Sequence, residues 1–350
     1  MINYCTHVET TKPSFSVSYK DRLMFMGSCF ANQIGTQMKG HGWDACVNPF
    51  GVLYNPSSIA IGLERLLNPV SFKDEDLFSY QGLFHSFMHH GSFSDNSVTT
   101  ALDKINNALS DAASYLSTIS CLIITFGTAS VYRLKSDGET SANCQILPMT
   151  YTKNDGQTVA NCHKLPAAYF DRALLTVDQI VQEWSVLLEK IRSVHASLKM
   201  VFTVSPIRHW KDGAHANQIS KSILLLAQQE LTENNAGWVS YFPAYELMMD
   251  ELRDYRFYAD DMYHPSRQAV EYIWERFCDT YLDVSTKDAL KEVDSICRDI
   301  QHRPFNPVSE AYKQFLNQIL TKIYRLKEKN PYICMSKEEK VIIERLQNIS

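Results

Sequence analysis

Short, continuous runs of apolar residues recur along the chain, separated by longer polar and amphipathic segments. Five of these runs are interpreted as strands: Leu23–Met26, Ala45–Val47, Leu122–Phe126, Met200–Val204 and Trp238–Phe242. Their apolarity is continuous rather than alternating, which is typical of strands covered on both faces, as in a parallel sheet. The pattern therefore predicts a five-stranded parallel sheet.

Amphipathic segments lie between these strands. In residues 177–198 apolar side chains recur three and four positions apart, as they do on the buried face of a helix. Comparable spacing predicts four helices, at Ala101–Ser117, Leu174–Ser197, Ala216–Leu231 and Arg267–Tyr281. Strands that alternate with helices indicate a doubly wound α/β fold, in which helices cover both faces of the sheet.

One segment interrupts this alternation. Residues 129–148 follow the third predicted strand and are predicted to form an inserted hairpin. Its turn is expected at Ser136–Glu139, because that stretch contains a glycine.

The pattern changes again after Val284. Residues 286–300 and 308–329 are predicted to be helices separated by "RPFNP". A third helix is predicted in "SKEEKVIIERLQN", where Ser336 and Glu339 have the spacing of a capping box. We interpret residues 1–285 as the α/β domain and 286–350 as a helical extension packed on it.

Composition narrows the class of protein. The chain has 350 residues, 45% of them hydrophobic, and a formal net charge of −5. That balance argues against a general nucleic-acid binder, which needs an excess of basic residues. The N-terminus lacks the features of a secretory signal, and no apolar stretch is long enough to span a bilayer, so we expect a cytoplasmic location and no membrane partner. The nine cysteines include no C-x-x-C pair, which favours reduced thiols over a zinc site.

Candidate chemistry lies at the ends of two predicted strands and near the end of the α/β domain. Ser28 and Cys29 follow Gly27 after the first strand, and Gly127 and Thr128 follow the third. Ligands of open α/β sheets bind beyond the carboxyl ends of the strands, where the strand order reverses. If these two strands are neighbours, their loops flank one crevice.

A second signal is a D-x-x-H motif formed by Asp261 and His264. The carboxylate is close enough along the chain to orient the imidazole. Together with a nucleophile from the first strand end, the pair would complete a triad by role.

The chain resembles the GSCFA family, within the SGNH/GDSL hydrolase superfamily. The resemblance rests on "GSCFA" at 27–31, "NPFGVLYNP" at 48–56, "ITFGTASVY" at 124–132, "VANCHKLP" at 159–166, "TVSPIRHWKDG" at 203–213 and "DDMYHPS" at 260–266. It covers roughly residues 20–285 and implies a flavodoxin-like three-layer α/β/α sandwich and ester chemistry.

The superfamily places its nucleophile two positions after the glycine of G-D-S. A gapless match puts Cys29 in the nucleophile position and Ser28 in place of the aspartate, while a slip of one residue would make Ser28 the nucleophile. A helix N-terminus and an imidazolium favour a thiolate, and Ser28 could then cap the helix. The alternative to catalysis is that Cys29 is a small packed residue and Ser28 is a cap alone.

The resemblance also suggests oxyanion and substrate contacts. Gly51 matches the glycine of the second superfamily block, whose amide would face the developing charge. The third block, G-x-N-D, appears as Gly127-Thr128-Ala129-Ser130 and lacks the asparagine, so either Thr128 or Asn161 would supply that donor.

Three further polar side chains, those of His163, Arg208 and His209, are candidates to line the site. Arg208 could hold an anionic part of a substrate, because guanidinium groups pair well with carboxylates and phosphates. Structural or surface roles are equally compatible with the sequence at these positions.

Three functions are compatible with these residues. The first is an esterase-type hydrolase acting on a small or carbohydrate-linked ester, the second an acyltransferase using the same site, and the third a non-catalytic binding protein on the same scaffold. The altered third block favours the binding protein, and the intact D-x-x-H favours an enzyme. No cofactor or metal is expected, and the sequence leaves the oligomeric state open.

Overall fold

The computed structural model describes residues 6–135 and 156–349. Its centre is a five-stranded sheet, and every neighbouring pair of strands in it is parallel. The strands are β1 (Leu23–Gly27), β2 (Ala45–Val47), β5 (Cys121–Phe126), β9 (Lys199–Val204) and β10 (Val239–Phe242). Their order, β10-β9-β5-β1-β2, is the flavodoxin-like arrangement, so the predicted sheet and fold class are confirmed.

Helices cover both faces of this sheet. In chain order they are α1 (Cys29–Gly40), α2 (Pro56–Leu67), α3 (Val98–Leu116), α4 (Val177–Val194), α5 (Gly213–Asn234), the single turn α6 (Ala244–Glu246) and α7 (Arg267–Tyr281). Residues of β1 alternate between two cores: Leu23 and Phe25 face one, and Met24 and Met26 face the other. A strand that is apolar at every position is what burial on both faces requires.

Smaller sheets border the carboxyl end of the main one. β3 (Phe78–Tyr80) and β4 (Leu83–His85) form a hairpin, and β6 (Ser130–Leu134) lies between β7 (Thr158–Val159) and β8 (Phe170–Leu174) in an antiparallel sheet. β6 begins the predicted hairpin of residues 129–148, but its partners among the described residues come later in the chain. The predicted turn at Ser136–Glu139 lies outside the described residues.

The C-terminal helices predicted from the sequence are confirmed. They are α8 (Val284–Gln301), α9 (Glu310–Lys329) and α10 (Ser336–Gln347). Val293 and Leu316, from α8 and α9, belong to the same buried core as Leu23 of the central strand. The predicted capping box at Ser336 is wrong, because the helix is preceded by Met335, which gives no side-chain cap, while Glu339 pairs with Lys327 at 2.8 Å.

Within the described ranges, none of the helices combines the length and apolar character that a bilayer-spanning segment needs.

Candidate active site

A cavity of about 600 Å³ opens where the strand order reverses, between the carboxyl ends of β1 and β5. Its walls come from the loops that follow β1, β5 and β9 and from the small antiparallel sheet. Among its polar lining side chains are Ser28, Cys29, Tyr54, Thr128, Asn161, Arg172, Arg208, His209 and His264. The two ends of the α/β domain thus meet in one cavity, which is within the usual size range of small-molecule sites.

Gly27 sets the direction in which the chain leaves β1. Its φ is +136°, and its amide donates to Asn48 Oδ1 at 2.9 Å. A Cβ at this position would lie 2.2 Å from the carbonyl oxygen of Thr125 on β5, so no other residue fits. This close approach brings the next two residues to the mouth of the cavity.

Ser28 and Cys29 have different environments. Ser28 is the N-cap of α1: its Oγ accepts from the amide of Phe30 at 3.3 Å, and the residue is only 2% exposed. Cys29 is the first residue of the helix and is half-buried, with its Sγ 3.6 Å from the phenolic oxygen of Tyr54. Burial raises the pKa of Tyr54, and its contact with Cys29 raises it further. The phenol therefore remains protonated and can donate to the sulfur.

His264 and Asp261 form the predicted pair. The imidazole Nδ1–H donates to Asp261 Oδ2 at 2.6 Å, and the backbone amide of His264 donates to Oδ1 at 2.9 Å. The backbone bond from His264 is the main reason that the pKa of Asp261 lies below its usual value. His264 borders the cavity with its ring held by the carboxylate, although no hydrogen bond among the described residues joins it to Ser28 or Cys29.

A second imidazole, that of His209, also borders the cavity near the end of β1. A Cβ built on Gly127 would be 3.3 Å from His209 Nε2 and 3.4 Å from the Cβ of Ser28. Burial, and then the charge of Lys221, lower the pKa of His209 to about 4. This ring is therefore neutral at neutral pH, and its edge meets the ring of Tyr54.

Lys221 of α5 is fully buried behind the cavity. Its Nζ donates to the carbonyl oxygens of Gly127 and Ser205, each at 2.7 Å, and so ties together the loops after β5 and β9. Burial, and then the charge of Arg208, lower the pKa of this lysine to about 7.

Two of the predicted oxyanion donors are engaged elsewhere. The amide of Gly51 donates to the Asn48 carbonyl at 2.7 Å inside a turn, and Gly51 does not border the cavity described above. The amide of Gly127 donates to the carbonyl of Tyr54 at 2.7 Å. The prediction for Gly51 is corrected: its φ of +76° serves the turn, where a Cβ would lie 2.2 Å from the Cβ of His90.

Thr128 and Asn161, the alternatives for the missing third-block asparagine, both border the cavity. Thr128 Oγ1 accepts from the amide of Ser130 at 3.1 Å and lies 3.1 Å from Ser220 Oγ. Asn161 Oδ1 accepts from the amide of His163 at 2.8 Å, and its Nδ2 makes no hydrogen bond within the described part of the chain. Asn161 is therefore the side chain with an N–H group left for a ligand.

His163 does not border the cavity. Its ring is buried in a small core with Phe78 and Phe87, and its Nε2 lies 2.8 Å from the carbonyl oxygen of Ser86. Burial is the main cause that lowers its pKa to about 4. The prediction that His163 lines the site is corrected to a structural role, whereas Arg208 and His209 do border the cavity.

Sequence reasoning missed Tyr54 and Lys221. Tyr54 lies inside the motif "NPFGVLYNP", and this position is the signal that could have identified it. Lys221 occupies the same helical face as the buried Leu224 and Leu231, at intervals of three and seven residues. A lysine within an apolar stripe is the signal that could have identified it.

The fold defines the class of this protein, and a comparison with family models gives its family. The fold is a flavodoxin-like α/β sandwich with a cavity at its switch point. The GSCFA family model matches residues 22–154 and 149–277, and the chain belongs to the GSCFA family. Residues 293–348 match the model described as the C-terminal domain of GSCFA domain proteins. A search of curated proteins found no match.

Proposed function

We propose that this protein is an acyl-transfer hydrolase of the SGNH/GDSL type that cleaves small or carbohydrate-linked esters, with Cys29 as its nucleophile. The observation that carries the proposal is the shared cavity: a half-buried thiol at the start of α1 and a carboxylate-held imidazole border the same space. Nucleophile, base and orienting carboxylate are the parts that such chemistry needs.

The first step would form a thioester. Sγ of Cys29 attacks the ester carbonyl carbon, its proton passes to Nε2 of His264, and the π electrons move to the carbonyl oxygen. The tetrahedral intermediate then collapses, the C–O bond of the alcohol breaks, and the imidazolium returns the proton to the leaving oxygen. Water releases the acid in a second round with the same base. Catalytic hydrogen bonds are often longer without substrate, so His264 and Cys29 are expected to approach on binding.

Other groups around the thiol support this assignment. The phenol of Tyr54 can donate to the sulfur. The amide of Cys29 lies at a helix N-terminus, and Nδ2 of Asn161 has no hydrogen-bond partner among the described residues, so both are candidate oxyanion donors. Ser28, by contrast, is buried and already serves as the cap.

Acyl transfer to a second substrate is the alternative function. A neighbouring cavity of about 470 Å³ shares Arg208, Trp210 and Tyr263 with the first. This space could hold an acceptor alcohol that attacks the thioester in place of water.

The experiment is a burst assay with p-nitrophenyl acetate. The wild type is expected to release a burst of p-nitrophenol followed by turnover, and Cys29→Ala to show neither. Cys162→Ala is the matched control, because this thiol borders the same cavity but is not part of the proposed triad. No burst from a folded wild type would contradict the proposal and favour a binding protein.

A further inference from the structure

Arg208 is a cation with no counter-charge among the described residues. No carboxylate of the described residues lies within salt-bridge distance of it. Its Nη2 meets the sulfur of Met249 at 3.1 Å, and its Nε is buried with no hydrogen-bond partner. A guanidinium has five N–H groups, and leaving one unpaired away from water is costly.

The carboxylates of Asp254 and Asp261 line the neighbouring cavity together with Arg208, but they pair with Arg256 and His264 instead. Burial raises the pKa of the phenols of Tyr245 and Tyr258 and lowers that of the amine of Lys221, and the positive charge of Arg208 lowers all three. Lys221 is never negatively charged, and its hydrogen bonds go to neutral carbonyls. These three groups therefore supply no negative charge to neutralise Arg208 at neutral pH.

The other arginine of the cavity shows the contrast. Arg172 forms an ion pair with Asp212 and donates to Ser130 Oγ at 3.1 Å. Both residues of that pair border the same cavity as Arg208. The absence of such a partner is therefore a property of Arg208 among the described residues, and not of the whole cavity.

We propose that Arg208 binds an anionic group, a carboxylate or a phosphate, on the substrate of this site. The proposal rests on the proposed function and narrows its substrate class to esters that carry a negative charge beside the scissile bond. Arg208 borders both the cavity of Cys29 and the neighbouring one, so the anion would lie where the two meet. A guanidinium forms charge-assisted, often bidentate, hydrogen bonds with both kinds of anion.

The first test compares matched esters. The p-nitrophenyl monoester of succinate, its methylated neutral counterpart and a phosphonate analogue of the same chain length differ in the charge of the far end. The wild type should prefer the anionic esters over the neutral one in kcat/KM. Arg208→Gln should reduce that preference roughly 10- to 100-fold, the range expected when hydrogen bonds to a charged group are lost.

Arg253→Gln is the matched control. Arg253 is exposed and borders the neighbouring cavity without bordering that of Cys29. It should keep the wild-type preference. If this variant lost the preference for anionic esters to the same extent, the cause would be the overall electrostatic potential of the surface, and the assignment to Arg208 would be overturned.

A binding measurement separates this inference from the proposed function. Titration of the Cys29→Ala protein with monomethyl succinate and with inorganic phosphate should give heat of binding, and the double variant with Arg208→Gln should lose it. A preference for one anion identifies which of the two the site takes. If the anions bind but the wild type turns over no ester, the proposed hydrolase function is contradicted and the anion site is kept. If the wild type turns over esters but shows no charge preference, and the anions do not bind, the anion site alone is overturned.

Discussion

The sulfur of Cys29 lies 3.6 Å from the phenolic oxygen of Tyr54, in a cavity that His264 also borders. Because the pKa of Tyr54 is raised, its O–H remains available as a donor at neutral pH. Tyr54→Phe keeps the ring beside His209 but removes this donor. We expect kcat/KM to fall about tenfold, since a hydrogen bond to a thiolate would be charge-assisted. Steady-state kinetics with an activated ester measure this, and an unchanged rate would exclude a role for the phenol.

Alanine variants of the two neighbouring nucleophile candidates should separate their roles. Cys29→Ala is expected to abolish acyl-enzyme formation, detected by mass spectrometry. Ser28→Ala is expected to lose a cap worth about 1 kcal/mol of unfolding free energy and to keep much of the activity. Iodoacetamide should inactivate the wild type, with protection by substrate. If the two variants exchange these behaviours and a fluorophosphonate labels the Cys29→Ala protein, Ser28 is the nucleophile.

Loss of the imidazole or of its orienting carboxylate should slow the chemical step. His264→Gln removes the proton acceptor, and Asp261→Asn removes the group that holds Nδ1–H. We expect each to lower kcat/KM by roughly 100-fold or more, the usual contribution of general acid–base catalysis. Asp260→Asn, a change at the exposed neighbouring residue, serves as the control. Full activity of His264→Gln would contradict the role of His264 as the base and would leave His209, whose neutral ring lies near Ser28, as the other candidate.

Lys221 should give the protein a distinctive dependence of stability on pH. Its folded pKa is about 7, against 10.5 for an ordinary lysine, so between these values the unfolded chain binds a proton that the folded chain does not. The free energy of unfolding should therefore rise with pH in this window, by up to about 1.4 kcal/mol per pH unit. This gain in stability is lost progressively as pH falls from about 10.5 to about 7, and below that both states bind the proton and the contribution no longer changes.

The measurement compares wild type with Lys221→Met by urea unfolding at several pH values from about 6 to about 9. Other titrating groups are common to both proteins and cancel in the difference. The wild type should gain on the variant as pH rises. A difference that does not change with pH would mean that the buried lysine keeps its proton throughout.

The central sheet was predictable because a strand that is buried on both faces has a continuous run of apolar residues in its sequence. β1 and β5 are apolar at nearly every position, and neither depends on a distant residue to be recognised. β8, with the sequence FDRAL and largely exposed side chains, has no such run. Its pairing with β6 joins parts of the chain that are far apart in sequence, which no local pattern predicts.

The candidate site was predictable only in part, for a related reason. Motifs placed Cys29, Asp261 and His264 at loop positions, and loops at one edge of a parallel sheet converge. A motif does not, however, predict the direction in which a backbone amide or a side-chain ring points. The amide of Gly51 turns into its own loop, and the ring of His163 turns into a core, although both lie in motifs that suggested a role at the site.

The join between the turn after α1 and the C-terminal helices bears on how the chain is synthesised. The amide of Cys334 donates to the carbonyl of Gly42 at 2.8 Å, and a Cβ on Gly42 would lie 2.8 Å from the side chain of Ile333. Ribosomes deliver the N-terminal end first, so α1 and β1 leave the exit tunnel long before the residues that cover them. During translation the part of this core that the C-terminal helices cover stays open until they emerge, and in that period chaperones or neighbouring nascent chains have access to it.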